Sequence, residues 1–266
     1  MSEYLITLIL GIVQGITEFL PISSDGHLEI AKYFLGDKSS GFDSLQLTVM
    51  LHIATTLSIC VVFRKKILEL INGFFKWDPK TIKLIGLILI SMIPAAIVGL
   101  FFEDYVSSFF DGNISFVALM LIINGFILWL GNRAIVSNTE ITKGKSFLIG
   151  IAQMFAILPG ISRSGSTISL AALLNINRSE AAEFSFIILL PLIFGKIAKD
   201  IFSGSFNTIP YSFGAMAVGF LAAFIVGIFA FQLLLKLVAN IKLHYFAYYC
   251  MLVGTLLYIY VKFLMV

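Results

Sequence analysis

Two apolar segments of this chain, residues 4 to 35 and 146 to 175, are each broken in the middle by a turn of Pro, Gly and Ser: PISSDGH (21 to 27) in the first and PGISRSGS (159 to 166) in the second. Non-helical backbone at bilayer depth survives only where protein or a wet cavity satisfies its amides, so each break should line a site. Around them lie six uninterrupted apolar runs, at 45 to 63, 82 to 102, 115 to 131, 184 to 201, 212 to 235 and 245 to 264. A crossing takes about 20 apolar residues, so each run reads as one span. With 59% hydrophobic and 12% charged residues, most of the surface cannot face water, since ordinary soluble chains carry about 25% charged residues.

Three full spans separate the two broken segments, and a hairpin leaves a membrane on the side it entered. The second hairpin must therefore enter from the opposite face. The expected fold is an all-α polytopic membrane protein, six transmembrane helices plus two re-entrant helix hairpins in an inverted repeat. It forms one membrane domain over 1–266, with halves of about 1–135 and 143–266. Such repeats bring two broken helices together near the midplane. The segments also resemble each other at an offset of 139, where Gly11, Ile12, Gln14, Ile22, Ser23 and Gly26 fall on Gly150, Ile151, Gln153, Ile161, Ser162 and Gly165.

Basic residues orient the chain. One face collects twelve (Arg64, Lys65, Lys66, Lys76, Lys80, Lys83, Arg133, Lys143, Lys145, Arg178, Lys236, Lys242), the other only Lys32, Lys38, Lys196, Lys199 and Lys262. The richer face should be cytoplasmic, so the hairpin with Glu18 and His27 enters from outside and the one with Arg163 from within. The amino terminus reads as part of the mature protein rather than a signal peptide, because its first charge is Glu3 and Gln14 and Glu18 interrupt its apolar run. A net charge of +3 spread over short loops excludes a nucleic-acid partner, and two cysteines, Cys60 and Cys250, in apolar stretches exclude a disulfide framework or zinc site.

Ionisable groups within apolar hairpins are expensive, so Gln14, Glu18, His27 and Arg163 are functional candidates. Gln14 and Glu18, spaced i, i+4, share a helix face suited to gripping a hydrated cation, or they form a buried pair that locks the hairpin. Ser24 restarts a helix with His27 three residues on, which suits an anion with a hydroxyl beside a base, or else a serine cap with a packing histidine. Ser162, Arg163, Ser164, Gly165, Ser166 and Thr167 offer a guanidinium, hydroxyls and amides for an oxyanion such as diphosphate, although Arg163 could also simply pair with Glu18. His52 and His244, in or beside spans, read as packing residues.

The sequence resembles the bacterial undecaprenyl-diphosphate phosphatases, the bacitracin-resistance lipid phosphatases, over nearly its whole length. Their first signature, a Glu or Gln followed four residues later by Glu and then PxSSxGH, is met by Gln14, Glu18, Pro21, Ser23, Ser24, Gly26 and His27. Their second, PGxSRSGxT, is met by Pro159, Gly160, Ser162, Arg163, Ser164, Gly165 and Thr167. Weaker echoes lie in IPAAIVGLFF (93 to 102), EFSFIILLP (183 to 191) and FAYY (246 to 249). The resemblance implies removal of the terminal phosphate from undecaprenyl diphosphate, which recycles the lipid carrier of cell-wall synthesis, in a multi-pass protein of the bacterial plasma membrane with its site open to the outside. Glu18, Ser24, His27 and Arg163 would be catalytic. Ser23, Gly26, Ser162, Ser164, Gly165 and Thr167 would bind substrate, and Gln14 with Glu18 would hold a divalent cation, Mg²⁺ or Ca²⁺. The partners implied are a polyprenyl diphosphate lipid and the membrane, with a homodimer left open. Where such sequences usually have Ser or Thr, an apolar residue, a small residue and Arg, this chain has Asp25, Glu29, Lys196 and Cys250. Asp25 and Glu29 bring extra negative charge close to a site meant for a polyanion, and they add metal ligands or mark a divergent paralogue. A lipid-phosphate flippase is the alternative, because transporters also use inverted repeats.

Overall fold

The computed structural model describes residues 2–36, 42–102, 105, 109, 113–134, 139–202, 211–237 and 243–264. Among them are eleven α-helices and no strand. In chain order these are α1 (Glu3–Thr17), α2 (Ser24–Leu35), α3 (Phe42–Val62), α4 (Arg64–Phe75), α5 (Pro79–Phe101), α6 (Ile114–Arg133), α7 (Lys143–Phe155), α8 (Arg163–Leu173), α9 (Arg178–Phe202), α10 (Phe213–Leu237) and α11 (Leu243–Leu264).

Five of these, α5, α6, α9, α10 and α11, are long and apolar enough to cross a membrane, and a sixth crossing is met if α3 and α4 count as one bent span. The chain is a multi-pass helical membrane protein. The apolar run at 45 to 63 was expected to be a crossing followed by a loop; instead the helix turns by 77° and continues as α4. The reason lies in the sequence at the bend. Arg64, Lys65, Lys66 and Glu69 follow the apolar run directly, and they share α4 with Ile67, Leu70 and Phe74 at helical spacing, so the segment stays helical but presents charges along one side. Asp78 then starts α5, accepting hydrogen bonds from the Thr81 amide (2.9 Å) and hydroxyl (2.8 Å), which hold its carboxyl below the usual value.

Helices α1 and α2 pack on each other, as do α7 and α8, and the two pairs are held by long partners: α1 against α10, α7 against α5, α8 against α6 and α9. Apolar side chains gain little by leaving lipid for a helix interface, so association depends on close contact. At Gly11 a Cβ would lie 2.3 Å from the Gly219 carbonyl of α10, and at Gly150 one would lie 2.3 Å from the Ser91 carbonyl of α5. Any larger residue would drive these helix pairs apart. Below the first break, Phe19 stacks on Phe231 (4.8 Å between ring centres), which meets Phe186 at 4.8 Å, within a cluster that also holds Ile59, Ile168 and Leu234. That aromatic packing seats the residue next to Glu18.

The two ends of the molecule are tied separately. Lys83 pairs with Glu140 (2.9 Å), Lys66 with Glu183 (2.6 Å), and Arg178 donates to the Asn132 carbonyl at 3.2 Å. These contacts join segments placed on the basic face by the sequence. At the other end, Glu3 accepts from Ser212, and Lys199 donates to the Gly99 carbonyl at 3.1 Å.

Candidate active site

The two broken segments meet at their breaks. Ser23 and Ser162 cap α2 and α8 in the same way, each hydroxyl accepting from the amide three residues on: Gly26 N–H at 3.2 Å and Gly165 N–H at 3.1 Å. Capping leaves the remaining first-turn amides, those of Ser24 and Asp25 and of Arg163 and Ser164, without partners inside the helix, and the positive ends of both dipoles face the same region. The starts of α2 and α8 are locked together. Ser23 Oγ also accepts from the Gly160 amide (3.1 Å), and a Cβ on Gly26 would lie 3.0 Å from Gly160 Cα. Gly160 turns with φ +103°, where a side chain is strained, and Ser23 itself sits at φ 70°. Positive φ at a non-glycine stores strain of order 1–3 kcal/mol, which the surrounding contacts must hold in place.

Glu18 is the centre of the arrangement, buried at the end of α1. Its Oε2 accepts from Ser24 Oγ at 2.7 Å and from Gln14 Nε2 at 3.0 Å, and lies 3.3 Å from His52 Nε2. Its Oε1 accepts from Arg163 NH2 at 2.6 Å. The other guanidinium nitrogen, Arg163 NH1, is buried with no hydrogen-bond partner. The Gln14 amide oxygen is likewise buried and unpartnered. A planar guanidinium thus grips the carboxylate with one arm and holds the other free, beside the Ser24 hydroxyl and two helix amino termini.

His27 does not face Ser24. Its Nδ1 lies 2.7 Å from the Ser23 carbonyl, which can only accept, and its Nε2 is 2.8 Å from the Tyr249 hydroxyl, with the rings stacked at 5.6 Å. The carboxylate that accepts the Ser24 hydroxyl hydrogen bond is Glu18. Ser164 Oγ lies 3.3 Å from Ser162 Oγ and donates to the Phe19 carbonyl at 3.4 Å, while Thr167 Oγ1 turns inward to the Arg163 carbonyl (2.8 Å) and Ser185. The structure brings Gln14, Glu18, Ser24 and Arg163 into one hydrogen-bonded set. Ser23, Gly26, Ser162 and Gly165 form the caps around it, and Thr167 lies one turn further inside.

Two residues missed in the sequence belong here. His52, read as a packing residue, stands with Nε2 between Glu18 Oε2 (3.3 Å) and Asp25 Oδ1 (3.5 Å), a correction due to the α3 face that carries Thr48, His52 and Thr55 toward α1 and α2. The four- and three-residue spacing of those polar groups in an apolar run was the available signal. His244 does pack as expected, 4.2 Å from the Tyr245 ring. The second is Asn124 of α6, fully buried, which donates to the Pro21 carbonyl (3.1 Å) and accepts from the Ser162 amide (2.9 Å), so that one side chain holds both breaks. Asn124→Leu is expected to lower the thermal unfolding midpoint of the purified protein, since each buried group left without a partner costs about 1–3 kcal/mol.

The four departures find places too. Asp25 faces His52, and Glu29 is paired with Lys32 at 3.0 Å, whose ammonium also donates to Thr48 at 2.8 Å. Cys250 accepts from Asn124 Nδ2 at 3.3 Å. Lys196 lies in α9 with its side chain outside the described residues.

A helical multi-pass membrane protein with a guanidinium, a carboxylate and hydroxyls gathered at two facing helix starts defines a class: membrane proteins whose buried site takes a multivalent oxyanion. The chain belongs to the bacitracin resistance protein BacA family, whose model matches residues 7–256. It is 49% identical over 249 residues to a protein of Christiangramia forsetii named undecaprenyl-diphosphatase, with 93% of this chain and 94% of that one covered. Proteins of the same name from Methanococcus vannielii and Bacteroides fragilis are 40% and 38% identical over 262 residues each, covering 96% and 95% of this chain and 99% and 96% of theirs.

Proposed function

We propose that this protein hydrolyses undecaprenyl diphosphate to undecaprenyl phosphate and inorganic phosphate. The observation that carries the reading is Arg163, which keeps NH1 buried and unpartnered while NH2 holds Glu18. An unsatisfied buried donor at two helix amino termini is a receptor for phosphate oxygens.

The residues divide the work as follows. Arg163 NH1 and the first-turn amides of α2 and α8 bind the diphosphate and stabilise the charge that spreads over the transferring phosphoryl group. Ser24 Oγ forms a bond to the terminal phosphorus as the bridging P–O bond breaks and the lipid monophosphate leaves with the electron pair. The Ser24 proton passes to Glu18 Oε2, to which the hydroxyl is already bonded. Water then displaces the phosphate from Ser24, and Glu18, returning its proton to Ser24, restores the site. His27, with Nδ1 on the Ser23 carbonyl and Nε2 on the Tyr249 hydroxyl, steadies the start of α2 from the edge of the site.

A divalent cation is part of this reading. Among the described residues no group of three or more His, Cys, Asp or Glu side chains is gathered to hold a metal ion. The donor set fits a shared site instead: Gln14 Oε1 is a buried carbonyl oxygen without a partner, beside the Glu18 carboxylate. Gln14 and Glu18 would hold the cation, and when bound it would supply neutralisation of the negative charge on the substrate phosphates. Chelation should abolish phosphate release and added Mg²⁺ or Ca²⁺ should restore it, with Gln14→Leu requiring a higher cation concentration.

The inverted repeat and the orientation belong to the same proposal. Support comes from the matching caps at Ser23 and Ser162, from Gly11 and Gly150 making equivalent close approaches to α10 and α5, and from the separate ties at the two ends. The site then opens to the outer face of the plasma membrane, where the lipid diphosphate is presented. In cells, a cysteine at Ser108 is expected to label from outside and one at Ser137 only after the membrane is opened, both positions lying outside the described residues. Equal labelling would contradict the arrangement. The function itself is tested by phosphate release from undecaprenyl diphosphate with purified protein in detergent, where transport cannot be scored; no release would overturn it.

A further inference from the structure

Asp25 poses a problem for a polyanion site. It lies in the first turn of α2 next to Ser24, where a second carboxylate beside Glu18 would repel diphosphate. The group that answers it comes from α3. His52 Nδ1 lies 2.8 Å from the Thr48 carbonyl, an acceptor only, so this nitrogen carries a hydrogen. Nε2 stands between two carboxylates, 3.3 Å from Glu18 Oε2 and 3.5 Å from Asp25 Oδ1. Lys32, two turns along α2 from Asp25, is committed to Glu29 and Thr48. Among the described residues, the basic side chain paired with Asp25 is His52, at 3.5 Å.

We propose that His52 is a positioning residue of this site: one Nε2–H shared between Glu18 and Asp25 fixes the Glu18 carboxylate beneath the Ser24 hydroxyl and draws the Asp25 carboxylate away from the bound phosphates. Asp25 is compatible with the site because His52 stands opposite it. The inference rests on the phosphatase reading and adds a residue to it.

Coupling between the two positions is the test. Phosphate release from undecaprenyl diphosphate is measured for full-length wild type, His52→Ala, His52→Gln, Asp25→Ser and Asp25→Ser/His52→Ala, with folding followed by thermal unfolding in detergent. His52→Ala is expected to lower kcat/KM by about 10- to 150-fold, the range for a hydrogen bond to a charged group, with both a lower kcat and a higher KM. His52→Gln, whose amide can still donate toward both carboxylates, should recover most of the loss. In the Asp25→Ser background the rise in KM caused by His52→Ala should shrink about tenfold, whereas a merely structural histidine would impose the same penalty in both backgrounds. If His52→Ala does not fold, His52→Asn takes its place, its amide being too short to span the pair. His52→Ala within about threefold of wild type, or equal penalties in the two backgrounds, overturns the proposal. A wild type that releases no phosphate overturns the phosphatase reading instead, and the coupling is then read from binding of inorganic diphosphate to the same variants by calorimetry.

Discussion

Arg163→Ala and Arg163→Lys are both expected to lower turnover about 10³-fold, the lower end for loss of a cationic clamp on a phosphoryl transition state. Alanine removes the charge. Lysine keeps it, and the reason it should fail is geometric: Arg163 uses NH2 on Glu18 Oε1 at 2.6 Å while NH1 stays free for substrate. A single ammonium can hold the carboxylate or a phosphate oxygen, but it cannot present two donors in one plane. Steady-state phosphate release in detergent measures both variants, with folding checked by thermal unfolding. Near wild-type activity in Arg163→Lys would remove the forked contact from the mechanism.

Ser24→Ala separates attack by serine from attack by water. Were the hydroxyl only a ligand, its removal would take away one hydrogen bond to a charged group, about 1.5–3 kcal/mol or 10- to 150-fold in rate. With Ser24 as nucleophile, covalent chemistry ends, and the loss should exceed about 10³-fold even at saturating substrate, as when other hydrolases lose theirs. The 2.7 Å contact from Ser24 Oγ to Glu18 favours attack, because it gives the proton a place to go. Ser23→Ala is the control: it removes a cap and the tie to Gly160, so it should lower stability more than it lowers single-turnover rate. A Ser24→Ala loss below about 100-fold, within the range of that one hydrogen bond, would assign the attack to water.

The sequence carried the helical membrane fold because runs of bilayer length leave few alternatives, and it pointed to the candidate site because non-helical backbone at that depth survives only where protein or a wet cavity satisfies its amides. Gln14, Glu18, Ser24 and Arg163 were legible for the same reason. What the sequence concealed depends on distance between helices. His52 and Asn124 each sit in an apolar run with only uncharged side chains for company, and only the packing of α3 and α6 against the breaks shows what they touch. The bend at Phe63 was hidden because an apolar run that stops at a charged cluster reads equally as the end of a helix or as a helix that turns. Glu29 looked like an unexplained charge in sequence and is answered by Lys32 one turn later. Lys32, counted as a loop charge, is itself buried.

Asn124 bears on whether the two halves of this molecule move as one. Its amide holds the Pro21 carbonyl and the Ser162 amide at once, and Ser23 holds the Gly160 amide beside it. A carrier that rocks one half against the other would have to part these ties and the Arg163–Glu18 bond in every cycle, stranding buried polar groups at about 1–3 kcal/mol each. Chemistry from a single side requires none of them to break. The stitching across the two breaks therefore sets a cost on any rocking of one broken segment against the other that a site working from one side would not meet.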